Sequence, residues 1–198
     1  SETTLARKAL FYVKGEDGQL QLSSNNLNAK GADIINDGNG STLVQSKNNM
    51  NLTALSVGFD EKMGKGNHYR HEKVEQAISS QIKGKGDVTL TAKNLRAEGA
   101  QLESEAKLMA IAENDLVLNG ATNTLELTEH HQYKSGVLTR KSKITDEYEK
   151  RIEQVGSELS GREIVLLTGH NVEATGVKLA ADNLSLIHIS EPTRLRCI

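Results

Sequence analysis

Four of the chain's six histidines fall in two short polar stretches: His68 and His71 stand three apart, and His130 and His131 are adjacent. Gathered around one ion, four imidazoles would make a zinc site, since imidazole nitrogen is a favoured zinc ligand. No cysteine lies near them, and no His-Glu-x-x-His spacing supports such a site. Exposed polar residues are the plainer reading, so no metal and no cofactor is expected. A pH response of these imidazoles beside Lys and Arg rests on position alone. The same stretches collect cations and rings. Lys62, Lys65, Tyr69 and Arg70 accompany the first histidine pair, and Tyr133, Lys134, Arg140, Lys141 and Lys143 follow the second. Residues 61–73 carry a net charge of +2 and residues 129–143 a net charge of +3. Such patches suit contact with lipopolysaccharide, acidic lipid or heparin-like glycans, and these thirteen residues are the candidate contact surface.

Catalytic chemistry finds less support. A polysaccharide-cleaving site gathers carboxylates and a base in one groove. Here Asp33, Asp87, Glu103 and Asp115 are scattered over turns, so no catalytic residue is assigned and no enzyme is expected. Gly64-Lys65-Gly66 and Gly84-Lys85-Gly86 lack the following Lys-Ser/Thr of a phosphate loop and read as turns. Asn51-Leu52-Thr53 has the form of a glycosylation triplet but reads as part of a strand.

The polar stretches interrupt a repeat. Asn26 to Ile34 (NLNAKGADI) matches Asn94 to Leu102 (NLRAEGAQL) and Asn171 to Leu179 (NVEATGVKL), at spacings of 68 and 77. The 77-residue match extends upstream: Val74-Glu75-Gln76-Ala77 answers Ile152-Glu153-Gln154-Val155, and Val88-Thr89-Leu90 answers Val165-Leu166-Leu167. A period near 20 lies inside the longer one, as between Val88 and Leu108, Asn94 and Asn114, and Asn26 and Asn48. Within each short unit apolar residues alternate (Leu20/Leu22, Met50/Leu52, Val88/Leu90, Leu116/Leu118), which is the pattern of a strand with one buried face. Turn residues such as Asn36-Asp37-Gly38-Asn39-Gly40 separate the runs. Strands and turns at this period describe coils that must stack to bury their apolar face. About six coils are expected, with asparagines forming an amide ladder up the stack.

Composition agrees. Aromatic residues make up only 3% of the 198 residues and there is no Trp, so the core must be thin and filled by small aliphatics. The net charge of −2 and pI of about 6.3 make no demand for nucleic acid. The two excursions, about Phe59 to Lys73 and about Thr128 to Arg151, are expected to be hairpins leaving the stack. A helix is the competing reading for the second, because Ile144, Tyr148, Ile152, Val155 and Leu159 fall at helical spacing. Residues 184 to 194, LSLIHISEPTR, look like translated sequencing adapter, so 187–198 are set aside as a non-native tail holding the single Cys197 and single Pro192. With no initiating Met, the chain is read as a segment of a longer protein, occupying residues 1–186.

The coil patterns GDVTLTAKNLRAEGAQL and REIVLLTGHNVEATGVKL, alternating with His-rich excursions, resemble the haemagglutinin repeats of two-partner-secretion exoproteins. These include filamentous haemagglutinin-like adhesins and contact-dependent growth inhibition toxins, and the resemblance covers roughly residues 18–186. It implies an all-β, right-handed parallel β-helix with two polar flaps. It also implies export through an outer-membrane two-partner-secretion transporter, display at the bacterial cell surface, and contact with a target-cell envelope for adhesion or for delivery of a distal toxin domain. A carbohydrate-binding adhesin module is the first alternative, and a polysaccharide-cleaving β-helix enzyme the second.

Overall fold

Residues that alternate apolar and polar along the chain put every second side chain on one face, and the fold stacks those faces inward. The computed structural model describes residues 1–5, 7–135 and 141–188, and among these residues there is no helix. Each turn of the chain lays down three short strands. The first turn holds β2 (Leu10–Val13), β3 (Leu20–Ser24) and β4 (Leu27–Lys30), after the two-residue β1 (Glu2–Thr3). The second holds β5 (Asp33–Asn36), β6 (Thr42–Ser46) and β7 (Asn49–Thr53). The chain then leaves the stack as β8 (Leu55–Lys65) and returns as β9 (His68–Ile78). Two further turns follow: β10 (Gln81–Gly84), β11 (Val88–Ala92), β12 (Asn94–Glu98), then β13 (Gln101–Ser104), β14 (Lys107–Ala112), β15 (Leu116–Asn119). A second excursion runs out along β16 (Ala121–Ser135) and back along β17 (Lys141–Val155). Last come β18 (Ser157–Thr168), which spans two faces, β19 (Val172–Thr175) and β20 (Val177–His188).

Equivalent strands of successive turns pair in parallel, giving three columns. Ile34, Ile82, Leu102, Leu159 and Leu179 lie in one register line. Leu22, Val44, Leu90, Ala110 and Leu166 form a second, and Leu27, Met50, Leu95, Leu116 and Val172 a third. Ile34, Met50, Ile82, Leu95, Leu102, Leu116 and Leu159 are all but inaccessible. Burying each such side chain contributes about 1.5–3 kcal/mol, so stability accrues turn by turn from neighbours in the stack.

The shared pattern Asn-Leu/Val-x-Ala-x-Gly has a geometric basis. Its glycine is the corner leaving the third column: Gly31, Gly99 and Gly176 take φ of +57°, +58° and +65°. A Cβ at Gly99 would stand 2.6 Å from the Cβ of Ala121. The asparagines form a ladder, Asn94 Nδ2 donating to Asn49 Oδ1 (2.8 Å) and Asn114 Nδ2 to Asn94 Oδ1 (3.3 Å), with Asn171 Nδ2 donating to Asp115 Oδ1 (3.0 Å). The rung above Asn26 is Asn49, whose backbone N–H donates to Asn26 Oδ1; Asn48, the expected partner, sits in the corner before it. The 77-residue spacing also slips by one over β18. Val88 stacks through Leu108 onto Ile164 rather than Val165, because the corner after Gly161 is one residue shorter than the corner after Gly84.

Residues 144–159 are extended, not helical: all but Gly156 lie in β17 and β18. Ile187 and His188 continue β20 in register with Leu167 and Thr168, while Pro192 and Cys197 lie outside the described residues.

Candidate functional site

Both excursions leave the stack at the same corner, after the third strand of every second turn, and each folds back on itself. β8 pairs antiparallel with β9, and β16 with β17, over spans longer than the expected 59–73 and 128–151. The hairpins also pair with one another, β9 with β16, and β1 adds to the far side of β8, so one antiparallel sheet of order β1-β8-β9-β16-β17 runs beside the stack. Strand spacing explains this tiling. A rung is about 4.8 Å high, so a two-stranded hairpin is as wide as the two turns that separate one departure from the next.

The register of β9 with β16 sets opposite one another the residues singled out in the sequence. His68 lies opposite His131, Tyr69 opposite His130, Arg70 opposite Glu129 and His71 opposite Thr128. Alternation along the strands then divides them between two faces. One face carries His68, Arg70, His131 and Tyr133. His68 Nδ1 and His131 Nδ1 are 3.4 Å apart, the Tyr133 ring stands edge-on to His68 with centroids 5.1 Å apart, and Arg70 pairs with Glu72 (3.1 Å) and Glu129 (3.6 Å). The other face carries Lys62, Tyr69, His71 and His130. Tyr69 and His130 stack with centroids 5.2 Å apart, Lys62 Nζ lies 4.2 Å from the Tyr69 ring centroid, His71 Nε2 meets Asp60 Oδ1 at 2.8 Å, and His130 Nδ1 meets Asp146 Oδ1. The four histidines therefore do not converge on one point. Among the described residues no three His, Cys, Asp or Glu side chains are grouped so as to hold a metal ion.

Each hairpin is charge-balanced as a whole. Over β8–β9, residues 55–78, Lys62, Lys65, Arg70 and Lys73 meet Asp60, Glu61, Glu72 and Glu75. Residues 121–155 hold six cations and six carboxylates. The positive excess of the two shorter windows belongs to the outer ends of the hairpins, where Lys65, Lys134 and Lys143 lie. Arg140 lies outside the described residues, as do the neighbouring residues of the second tip; Lys141 is placed by its backbone alone, opposite Ser135. Nearer the stack the charges pair: Lys73 with Glu75 (3.0 Å) and Lys150 with Glu126 (2.6 Å). The hydrogen bond from His71 holds the Asp60 carboxyl below its ordinary value, and the one from Lys150 does the same for Glu126. Glu126 in turn holds the Lys150 ammonium above its ordinary value.

The dispersed carboxylates are each engaged locally. Lys8 Nζ donates to Asp33 (2.8 Å), Lys83 Nζ to Glu103 (3.0 Å), the Lys107 backbone N–H to Asp87 (3.2 Å) and Asn171 Nδ2 to Asp115 (3.0 Å). They do not share a groove.

Residues 62–188 match the family model described as Hemagglutinin repeat, nearly two-thirds of the chain and inclusive of most of both hairpins. No curated protein and no solved structure matches the chain.

Proposed function

The chain belongs to the hemagglutinin repeat family, and on that premise we propose that it is a right-handed parallel β-helix segment, residues 1–186, of a large secreted cell-surface exoprotein. Its work is reach and contact: adhesion, or delivery of a distal toxin domain to a target cell. An outer-membrane two-partner-secretion transporter exports the parent protein, and the target-cell envelope is what the hairpin sheet meets. The observation that supports this reading is the hairpin tiling. A rod needs no such sheet for its own burial, yet the chain spends residues 55–78 and 121–155 on one whose outer ends are cationic and aromatic. A glycan as the contacted component is favoured by the exposed ring of Tyr133 and the Lys62–Tyr69 pair, since rings and cations together suit sugar faces and their anionic substituents.

The test uses the labelled full chain and outer-membrane vesicles containing lipopolysaccharide. Saturable binding that is lost when Lys62, Lys65, Tyr133, Lys134 and Lys143 are replaced together by Ala supports contact through the hairpin ends. Binding unchanged by those substitutions removes the hairpins from the reading and leaves the rod as a spacer.

A further inference from the structure

His68 and His131 are 63 positions apart, lie on different hairpins and are set opposite each other by the β9–β16 register. Their Nδ1 atoms face each other at 3.4 Å with ring centroids 5.7 Å apart, so the two nitrogens sit on the facing edges of the rings. Two imidazole nitrogens bound to one tetrahedral zinc, each at about 2.0–2.1 Å, stand about 3.3–3.4 Å apart. The separation is therefore already that of a zinc-bound pair. What must change is direction: each lone pair has to turn by about 35° from the line joining the nitrogens to meet at a tetrahedral ion. Rotation about the second side-chain torsion of His has a broad, shallow profile, which permits that turn.

We propose that His68 and His131 form a two-histidine site for a zinc-class divalent ion, bound through both Nδ1 atoms, which clamps the first hairpin to the second. Glu129 adds negative charge beside the pair: its Oε2 lies 3.9 Å from Nε2 of His131, beyond hydrogen-bond reach. Two protein nitrogens leave the remaining positions to water, an open coordination set. The other histidine pair does not offer the same arrangement. His71 and His130 lie on the opposite face of the sheet and turn a ring nitrogen to Asp60 and Asp146 respectively.

The site is tested on the full chain by calorimetric titration with Zn2+ at neutral pH, together with hydrogen exchange of β9 and β16 amides with and without the ion. One equivalent is expected to bind, with slowed exchange across the β9–β16 seam. H68A and H131A should each weaken binding by at least about tenfold, no less than the loss of an outer-shell partner does. H71A and H130A should leave affinity unchanged, which separates this site from general histidine binding. Absence of binding by the intact chain, or an equal loss in the H71A and H130A variants, overturns the proposal. Binding without any change in exchange at the seam overturns the clamp.

Discussion

Ser80 and Ser157, 77 positions apart and both fully buried, close the stack at the two points where a hairpin interrupts it. Ser157 Oγ donates to the Asn119 carbonyl (2.6 Å) and accepts from the Ala100 N–H (3.1 Å). Ser80 Oγ accepts from the Ala32 N–H (3.2 Å) and lies 2.7 Å from the Thr53 carbonyl and 3.0 Å from that of Ala29. Thr53 and Asn119 end the turns from which the hairpins depart, and Ala32 and Ala100 begin those same turns. Each hydroxyl thus bridges the gap between the end of one turn and the re-entry of the chain.

It follows that Ser80→Ala and Ser157→Ala leave the buried Ala32 or Ala100 N–H without its partner, while the Thr53 and Asn119 carbonyls keep their bonds from the Gly31 and Gly99 N–H groups, at a cost of about 1–3 kcal/mol each. Urea unfolding of the full chain should show a lowered midpoint with an unchanged slope. A midpoint within error of the parent chain in both variants would mean that neighbouring backbone groups or water take over these bonds.

The corner glycines make a second contrast. Gly99 combines positive φ with a neighbour at 2.6 Å from any added Cβ, whereas Gly66, at the first hairpin's tip with φ of +61°, has open space around that position. Gly99→Ala is expected to cost clearly more than Gly66→Ala, for which the backbone conformation alone costs about 1–2 kcal/mol. Equal melting shifts for the two would show that the corner relaxes around the methyl group.

Which parts of this architecture were legible follows from how each residue's environment repeats. The Asn-Leu/Val-x-Ala-x-Gly unit was readable because a stack places like residues over like, so the glycine corner and its asparagine recur at every second turn, where no hairpin departs. The slip over β18 was not, because Ile164-Val165-Leu166-Leu167 is apolar throughout and satisfies either register. The helical spacing of Ile144, Tyr148 and Ile152 misleads for a related reason: a step of four is also an even step, so the three share one face of β17 as well. The pairing of the two hairpins was hidden because it depends on the width of a hairpin matching two rungs, a relation among elements far apart in the chain. The candidate contact residues were found as a cluster, but their division between two faces needed the register, and the counted windows stopped short of the carboxylates on the strands nearer the stack.

The central register lines give a third expectation. Leu102 is enclosed by Ile82 on one side and Leu159 on the other, whereas Leu184 in β20 is about half exposed. Leu102→Ala should cost about 2–5 kcal/mol, the range for a truncation that leaves a cavity, and Leu184→Ala well under the lower end of it. Chemical denaturation measures both. Similar costs would argue against a stack in which stability is contributed turn by turn.

The last expectation concerns acid. Asp60 is held below its ordinary value chiefly by the hydrogen bond with His71, and Glu126 chiefly by that with Lys150. A carboxyl lowered by folding contributes stability that is complete above its unfolded value and lost as pH falls through the folded one. Both groups are in the hairpin sheet and neither is in the stack, whose interior is aliphatic. Lowering the pH from about 5 to below the unfolded carboxyl range near 3.9–4.3 should therefore loosen the hairpins while the stacked turns hold. Because the pairs are exposed, added salt should blunt the effect. Hydrogen exchange, corrected for its intrinsic pH dependence, reads the two regions separately: protection across β8–β9 and β16–β17 should fall, with that of β11 and β14 unchanged. Asp60→Asn and Glu126→Gln together should flatten the acid response of the hairpins. If hairpin and stack lose protection in step, or if the double variant keeps the parent's profile, these two carboxyls are not what ties the sheet to pH.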